Sequence, residues 1–237
     1  MPEKEPLSAE EGKWIENNEG VLEFHKQEFI AAEQLDKWND KKYHIEKFGD
    51  NISVVVLGEK HTNTEFTEKQ LELINIIKPE YVLSEFWNGW IYNPKTQKFE
   101  QQNDRVFDKN YDFKRVGMKL INLPPEDIKL ILAANKISFK IVGCDLTMGE
   151  LKEIAKQFPD KYANKPDYFI GVIGADNEVM PFRDEQMVKT ISEYQQKSLK
   201  PIISIMGWHH GDSIHNQKIM QEKGFGYAYI NENRRDK

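Results

Sequence analysis

Four apolar runs in this chain each end in side chains that handle protons or metals. Val54-Val55-Val56-Leu57-Gly58 leads into Glu59-Lys60-His61. On extended backbone, residues two apart point the same way, so Glu59 and His61 can share one target. Tyr81-Val82-Leu83-Ser84 leads into Glu85, and Phe86-Trp87 follows. Aromatic neighbours desolvate that carboxylate, which then needs a partner. Phe139–Val142 runs into Gly143-Cys144-Asp145, and Ile202–Met206 runs into Gly207-Trp208-His209-His210. Imidazoles gathered with carboxylates are a donor set for a divalent ion such as Zn²⁺, Mn²⁺ or Co²⁺. Without a metal, the same groups can position a water and deprotonate it.

The runs are strands, and helices alternate with them. Strands are expected at Ile52–Leu57, Tyr81–Glu85, Phe139–Val142, Ile202–Met206 and Tyr227–Ile230, and Tyr168–Ile173 reads either as a further strand or as a helix N-terminus running towards Gly174. Helices are expected at Glu65–Ile77, Phe113–Leu120, Pro125–Asn135, Met148–Phe158, Asp184–Tyr194 and Ser213–Lys223. This alternation predicts an α/β fold with a mostly parallel central sheet and helices on both faces. The strand ends then lie on one rim, where ligands bind in open α/β sheets. Residues 1–48 predict an N-terminal helical segment packed on the core. Ser8 and Glu11 form a capping box there, and Trp14, Ile15, Leu22, Phe24, Leu35 and Trp38 recur at helical spacing. Residues 49–237 predict a single α/β domain. The stretch 88–110 has no clear period but carries Trp90, Tyr92, Phe99 and Phe107, which predicts an ordered lid or substrate-facing insertion.

Composition narrows the function classes. The net charge is −6, from 33 basic and 39 acidic residues, which argues against a nucleic-acid partner. The single cysteine, Cys144, excludes an internal disulfide framework and reads as packed and inert. No run approaches the roughly 18 apolar residues of a membrane span. The acidic start, Met1-Pro2-Glu3-Lys4-Glu5-Pro6, lacks the apolar core of a signal peptide, so the expected location is cytoplasmic. His25, His44 and His215 read as packing or surface histidines, and Asp212 as the N-terminal charge of the last helix. Arg183 sits at a helix start, where a basic residue is slightly unfavourable. It either pairs with a surface acid or grips a substrate carboxylate or developing oxyanion.

Taken in order, Gly58-Glu59-Lys60-His61, Glu85, Arg183-Asp184-Glu185-Gln186-Met187 and Gly207-Trp208-His209-His210 resemble the motif set of the TraB/TIKI/ChaN-like superfamily, which includes the erythromycin esterases. The likeness spans roughly residues 52–230. It implies an α/β fold with one pocket lined by Glu59, His61, Glu85, Arg183 and a late histidine. TIKI-like members are metal-dependent peptidases, erythromycin esterases hydrolyse without metal, and ChaN-like members bind haem. The expectation is therefore a hydrolase of an ester or amide bond in a small molecule or peptide. Its catalytic set would be Glu59, His61, Glu85, Arg183 and His210, and its metal ligands would come from His61, Glu85, Asp145, His209 and His210. A haem- or metal-binding protein and a non-catalytic toxin or effector domain are the alternatives. The late motif of that superfamily is usually Gly-small-Gly-His. Alignment on Gly207 makes His210 the functional ring, with Trp208 and His209 in small-residue positions and His209 as the other candidate.

Overall fold

The computed structural model describes residues 12–16, 22–39, 43–60, 64–114, 117, 123–163, 165 and 176–232. Its strands are β1 (Gly12–Glu16), β2 (Leu22–Lys26), β3 (Ile30–Ala31), β4 (Tyr43–Phe48), β5 (Asn51–Ile52), β6 (Val54–Glu59), β7 (Tyr81–Ser84), β8 (Trp90–Asn93), β9 (Lys98–Gln101), β10 (Lys140–Gly143), β11 (Ile202–Gly207) and β12 (Tyr227–Glu232). Its helices are α1 (Thr64–Ile77), α2 (Pro125–Ile137), α3 (Met148–Ala155), α4 (Pro159–Tyr162), α5 (Met180–Lys197), α6 (Trp208–Asn216) and α7 (Ile219–Glu222). A 3-10 helix spans Ala32–Trp38. The candidate strand Tyr168–Ile173 and most of the expected helix Phe113–Leu120 lie outside the described residues.

One eight-stranded sheet runs in the order β4-β12-β6-β11-β7-β10-β8-β9. Its centre, from β12 to β10, is parallel. Its two margins are antiparallel, β4 on β12 at one side and β8 and β9 beyond β10 at the other. The sheet is thus mixed, a correction to the mostly parallel expectation. The central strands are covered on both faces. Val55 and Leu57 face Phe66, Leu73 and Ile74 of α1 and Leu130 of α2. Val54 and Val56 face Met187, Val188 and Ile191 of α5 and Ile214 of α6. Two-sided burial is why these strands read as unbroken apolar runs rather than alternating ones. Each such side chain contributes roughly 1.5–3 kcal/mol on burial.

Both margins depart from the sequence reading. Within 88–110, β8 and β9 build an ordered hairpin at the edge of the sheet. Gly89, at φ +76°, turns the chain back into β8. The aromatics pack inward: Trp87 stacks on Phe99 with centroids 4.2 Å apart, and Tyr92 meets Phe99 at 5.0 Å. The expected N-terminal helices are absent from the described residues, which instead hold the β1–β2 hairpin, the 3-10 helix and β4. Tyr43-His44-Ile45-Glu46 alternates with period two, with Tyr43 and Ile45 buried, and that alternation wins over a helical spacing drawn from scattered aromatics. Since β4 pairs with β12, the first 48 residues supply a strand of the central sheet. No described helix is long and apolar enough to cross a membrane.

A Cβ built on Gly143 lies 1.8 Å from the carbonyl oxygen of Trp87, a backbone atom that cannot step aside cheaply. Gly143→Ala is expected to cost about 3 kcal/mol in urea unfolding, the upper end of ordinary overpacking. The Lys13 ammonium of β1 donates to the Ser198 carbonyl at 2.8 Å and to that of Gln195, at the end of α5. Burial pulls its pKa down to about 8, against attraction by Glu80. Between about pH 8 and the ordinary lysine value near 10.4, the unfolded chain holds the extra proton, so stability rises with pH there. Comparing Lys13→Met with the parent across that window is expected to remove this rise from the urea midpoints.

Candidate functional site

The parallel register sets the rim. Gly207 of β11 lies opposite Glu59 of β6, while Ser84 of β7 lies opposite both Ile205 and Gly143. Glu59, Glu85, Asp145 and the Trp208-His209-His210 turn therefore leave the sheet at nearly one level. Side-chain alternation then divides them. Glu59 continues the Val55–Leu57 face and bonds the amide of Gln70 on α1. It lines a cavity of about 20 Å³ with Thr67, Gln70, Ser84, Phe86 and Asp127, room for about one water. Glu85 continues the Leu83 face, under α5 and α6.

On that second face, Arg183 of α5 is seated against two carboxylates. Its Nε lies 3.1 Å from both oxygens of Asp145, and its Nη2 lies 2.5 Å from Oδ2. Nη2 is also 3.8 Å from Oε1 of Glu85. Asp145 accepts the Leu146 amide at 2.7 Å, and Glu85 accepts the amide of Gly207. Glu85 and Asp145 are buried and leave adjacent strands, whose spacing is about 4.8 Å. Burial opposes the guanidinium's charge, but Asp145, Glu85 and Asp184 outweigh it and hold Arg183 above its ordinary pKa. The partner of Arg183 is thus a buried acid rather than a surface one. Asp145, expected as a metal ligand, is bound by the guanidinium fork.

The histidine pair separates cleanly. α6 starts directly after β11, at Trp208, rather than at Ser213, so both rings stand in its first turn. His209 is exposed and stacks on Trp208 with centroids 3.3 Å apart. His210 is 4% exposed, and its Nδ1 lies 2.6 Å from Oδ1 of Asp184, itself 2% exposed. Ser213, one turn further along α6, donates to Oδ2 of the same aspartate at 2.5 Å. Asp184 thereby fixes the ring with its proton on Nδ1, and no described residue bonds Nε2. Asp184 was inside the motif quoted above but was not among the expected site residues. The signal that could have found it is its place next to Arg183 on α5, the helix that covers this rim.

Other candidates take structural places. Cys144 is buried, and burial pushes its thiol well above the ordinary value, which leaves it unreactive. His215 bonds Glu46 at 2.9 Å and Tyr227 at 3.2 Å, and Asp212 accepts the Tyr229 hydroxyl. His61 lies outside the described residues. Among the described residues, no three His, Cys, Asp or Glu side chains are grouped to hold a metal ion. Two larger cavities, of about 520 and 540 Å³, meet at Phe29 at the opposite ends of the strands, by Pro201 and Gly226. They do not place a haem against His210.

The chain matches no family model, no curated protein and no solved structure.

The Arg183 cluster makes a sharp stability prediction. Arg183→Met leaves two buried carboxylates without their cation and is expected to cost about 3–5 kcal/mol. Adding Asp145→Asn should return part of that loss, as read from urea midpoints. Equal midpoints for the single and double variants would show that Asp145 does not depend on the guanidinium.

Proposed function

We propose that the protein is a hydrolase of ester or amide bonds in which His210 is the general base and Asp184 orients it. The observation that carries this reading is the buried Asp184–His210 pair, with the imidazole proton assigned to Nδ1 by its partner. A carboxylate on Nδ1 turns Nε2 into the acceptor and stabilises the imidazolium once it forms. Nε2 takes a proton from water as the water oxygen bonds the substrate carbonyl carbon. The same nitrogen returns that proton to the departing alcohol or amine as the tetrahedral intermediate collapses. The first turn of α6 has amides without intrahelical acceptors and a positive dipole end, so it favours negative charge beside His210. Glu85, bonded to the Gly207 amide, aligns that turn, and Arg183 secures Glu85 and Asp145. The resemblance of the motif order to that of the TraB/TIKI/ChaN-like superfamily supports the same reaction class. The substrate would be a small molecule or a peptide.

One feature favours a metal-assisted version: metal-bound histidines commonly donate their other nitrogen to a carboxylate, as His210 does. Its ligands would be His61, Glu85 and His210, whereas His209 and Asp145 are engaged elsewhere. Elemental analysis of protein purified without chelator checks it, with bound Zn, Mn or Co lost in His210→Ala as the supporting result.

In assays on p-nitrophenyl esters and on peptides, His210→Ala and Asp184→Asn are expected to lower kcat by about 10²–10⁴ while the fold persists. Glu59→Gln, on the opposite face of the sheet, should keep most of the turnover. Unchanged turnover in folded His210→Ala overturns the assignment, and a loss confined to Glu59→Gln moves the base to the α1 face.

A further inference from the structure

Two glycines of the rim stand where glycine is costly, one inside a strand and one inside a helix. Gly58 precedes Glu59 in β6, and Gly211 follows His210 in α6. One side chain accounts for both. A Cβ on Gly58 would lie 2.7 Å from Oη and 3.0 Å from Cε2 of Tyr229. A Cβ on Gly211 would lie 2.8 Å from Cε2 and 3.0 Å from Oη of the same ring. Tyr229 belongs to β12, where it pairs with Val56, and it is 2% exposed. Its ring edge is therefore held between the backbone of β6 and that of α6. Its hydroxyl donates to Oδ1 of Asp212 at 2.5 Å, two residues past His210. The His215 ring stacks on it at 5.0 Å, and Glu46 holds His215 in turn.

We infer that Tyr229 is a positioning residue for His210, seating the first turn of α6 on the end of β6 through its wedged ring and its bond to Asp212. The inference rests on His210 being the base of the proposed reaction. Asp184 reaches His210 from α5, Glu85 reaches Gly207 from β7, and Tyr229 closes the third side from β12. A wedge of this kind sets rotation and height of the helix together. Loss of the hydroxyl leaves the ring in place but frees the turn to shift relative to Asp184. A shift of about 1 Å is enough to lower turnover by up to about a hundredfold.

The test combines kinetics with imidazole NMR. In Tyr229→Phe, kcat is expected to fall about ten- to a hundredfold with KM within about twofold. The ¹⁵N pattern assigned to His210, by its loss in His210→Ala, should move from a fixed Nδ1–H tautomer towards an average of the two. Asp212→Ala should reproduce both effects with the ring intact, which covers the case in which Tyr229→Phe does not fold. The wedge itself is read from a cycle: the stability lost in Gly211→Ala should shrink in a Tyr229→Val background. Unchanged kcat and an unchanged tautomer in folded Tyr229→Phe overturn the inference while leaving the hydrolase reading intact. If the tautomer averages in Tyr229→Phe but His210→Ala retains turnover, the positioning stands and the hydrolase reading falls.

Discussion

Two carboxylates leaving neighbouring strands cannot both be buried and ionised without a cation between them, and Arg183 is that cation. Its guanidinium spans Asp145 from β10 and Glu85 from β7. That single requirement fixes α5 over the carboxyl ends of the sheet. Once Arg183 points down at the strands, the next residue, Asp184, is turned about 100° around the helix axis, towards α6. There it meets His210 and Ser213. The charge balance of the rim and the orientation of the imidazole are thus set by consecutive residues of one helix. The pairing is worth less for net stability than for the geometry it imposes, because desolvating three charged groups offsets much of their attraction.

The alternation of a strand decides which acids can work together. Glu59 and Glu85 end nearby strands at nearly one level, yet one continues the face under α1 and the other the face under α5 and α6. A rank of acids along a rim is therefore not a single cluster. The Glu59 side holds Gln70, Thr67 and Asp127 around a cavity of about 20 Å³. The Glu85 side holds the guanidinium, the oriented imidazole and the first turn of α6.

Legibility in the sequence followed burial. β6, β7, β10, β11 and β12 could be placed because both faces of the central strands are covered, which leaves unbroken apolar runs with polar ends. The rim followed from the same runs. β4, β8 and β9 could not be read in this way. They are marginal strands, and their half-buried or exposed positions carry His44, Glu46, Lys98 and Glu100, residues compatible with helix or loop. The aromatics of 88–110 suggested a ligand-facing lid because aromatic residues in a segment without period are as consistent with binding as with packing. In the fold, Phe99 packs on Trp87 and Tyr92, and Trp90 packs on Phe107. Of the site, Glu85, Asp145, Arg183 and His210 were visible as residues, but their partners were not. The bond from Asp184 to His210 joins positions 26 apart in sequence, across two elements whose rotation only the packed fold defines.

The junction of β11 and α6 explains why the buried imidazole is held so firmly at this point of the rim. The strand ends at Gly207 and the helix begins at Trp208, with no loop between them. A catalytic side chain on a loop would inherit the loop's freedom, whereas one on the first turn of a helix inherits the position of the strand before it. With no loop to absorb error, the turn must be fixed from outside. Three contacts from three other elements do so: Glu85 on the Gly207 amide, Asp184 on the His210 ring, and Tyr229 on Asp212. The glycines at 58 and 211 are the space that the third contact requires. The bulk of Trp208 and His209 is compatible with this arrangement because their rings stack on one another at the surface, outside the Asp184–His210 contact.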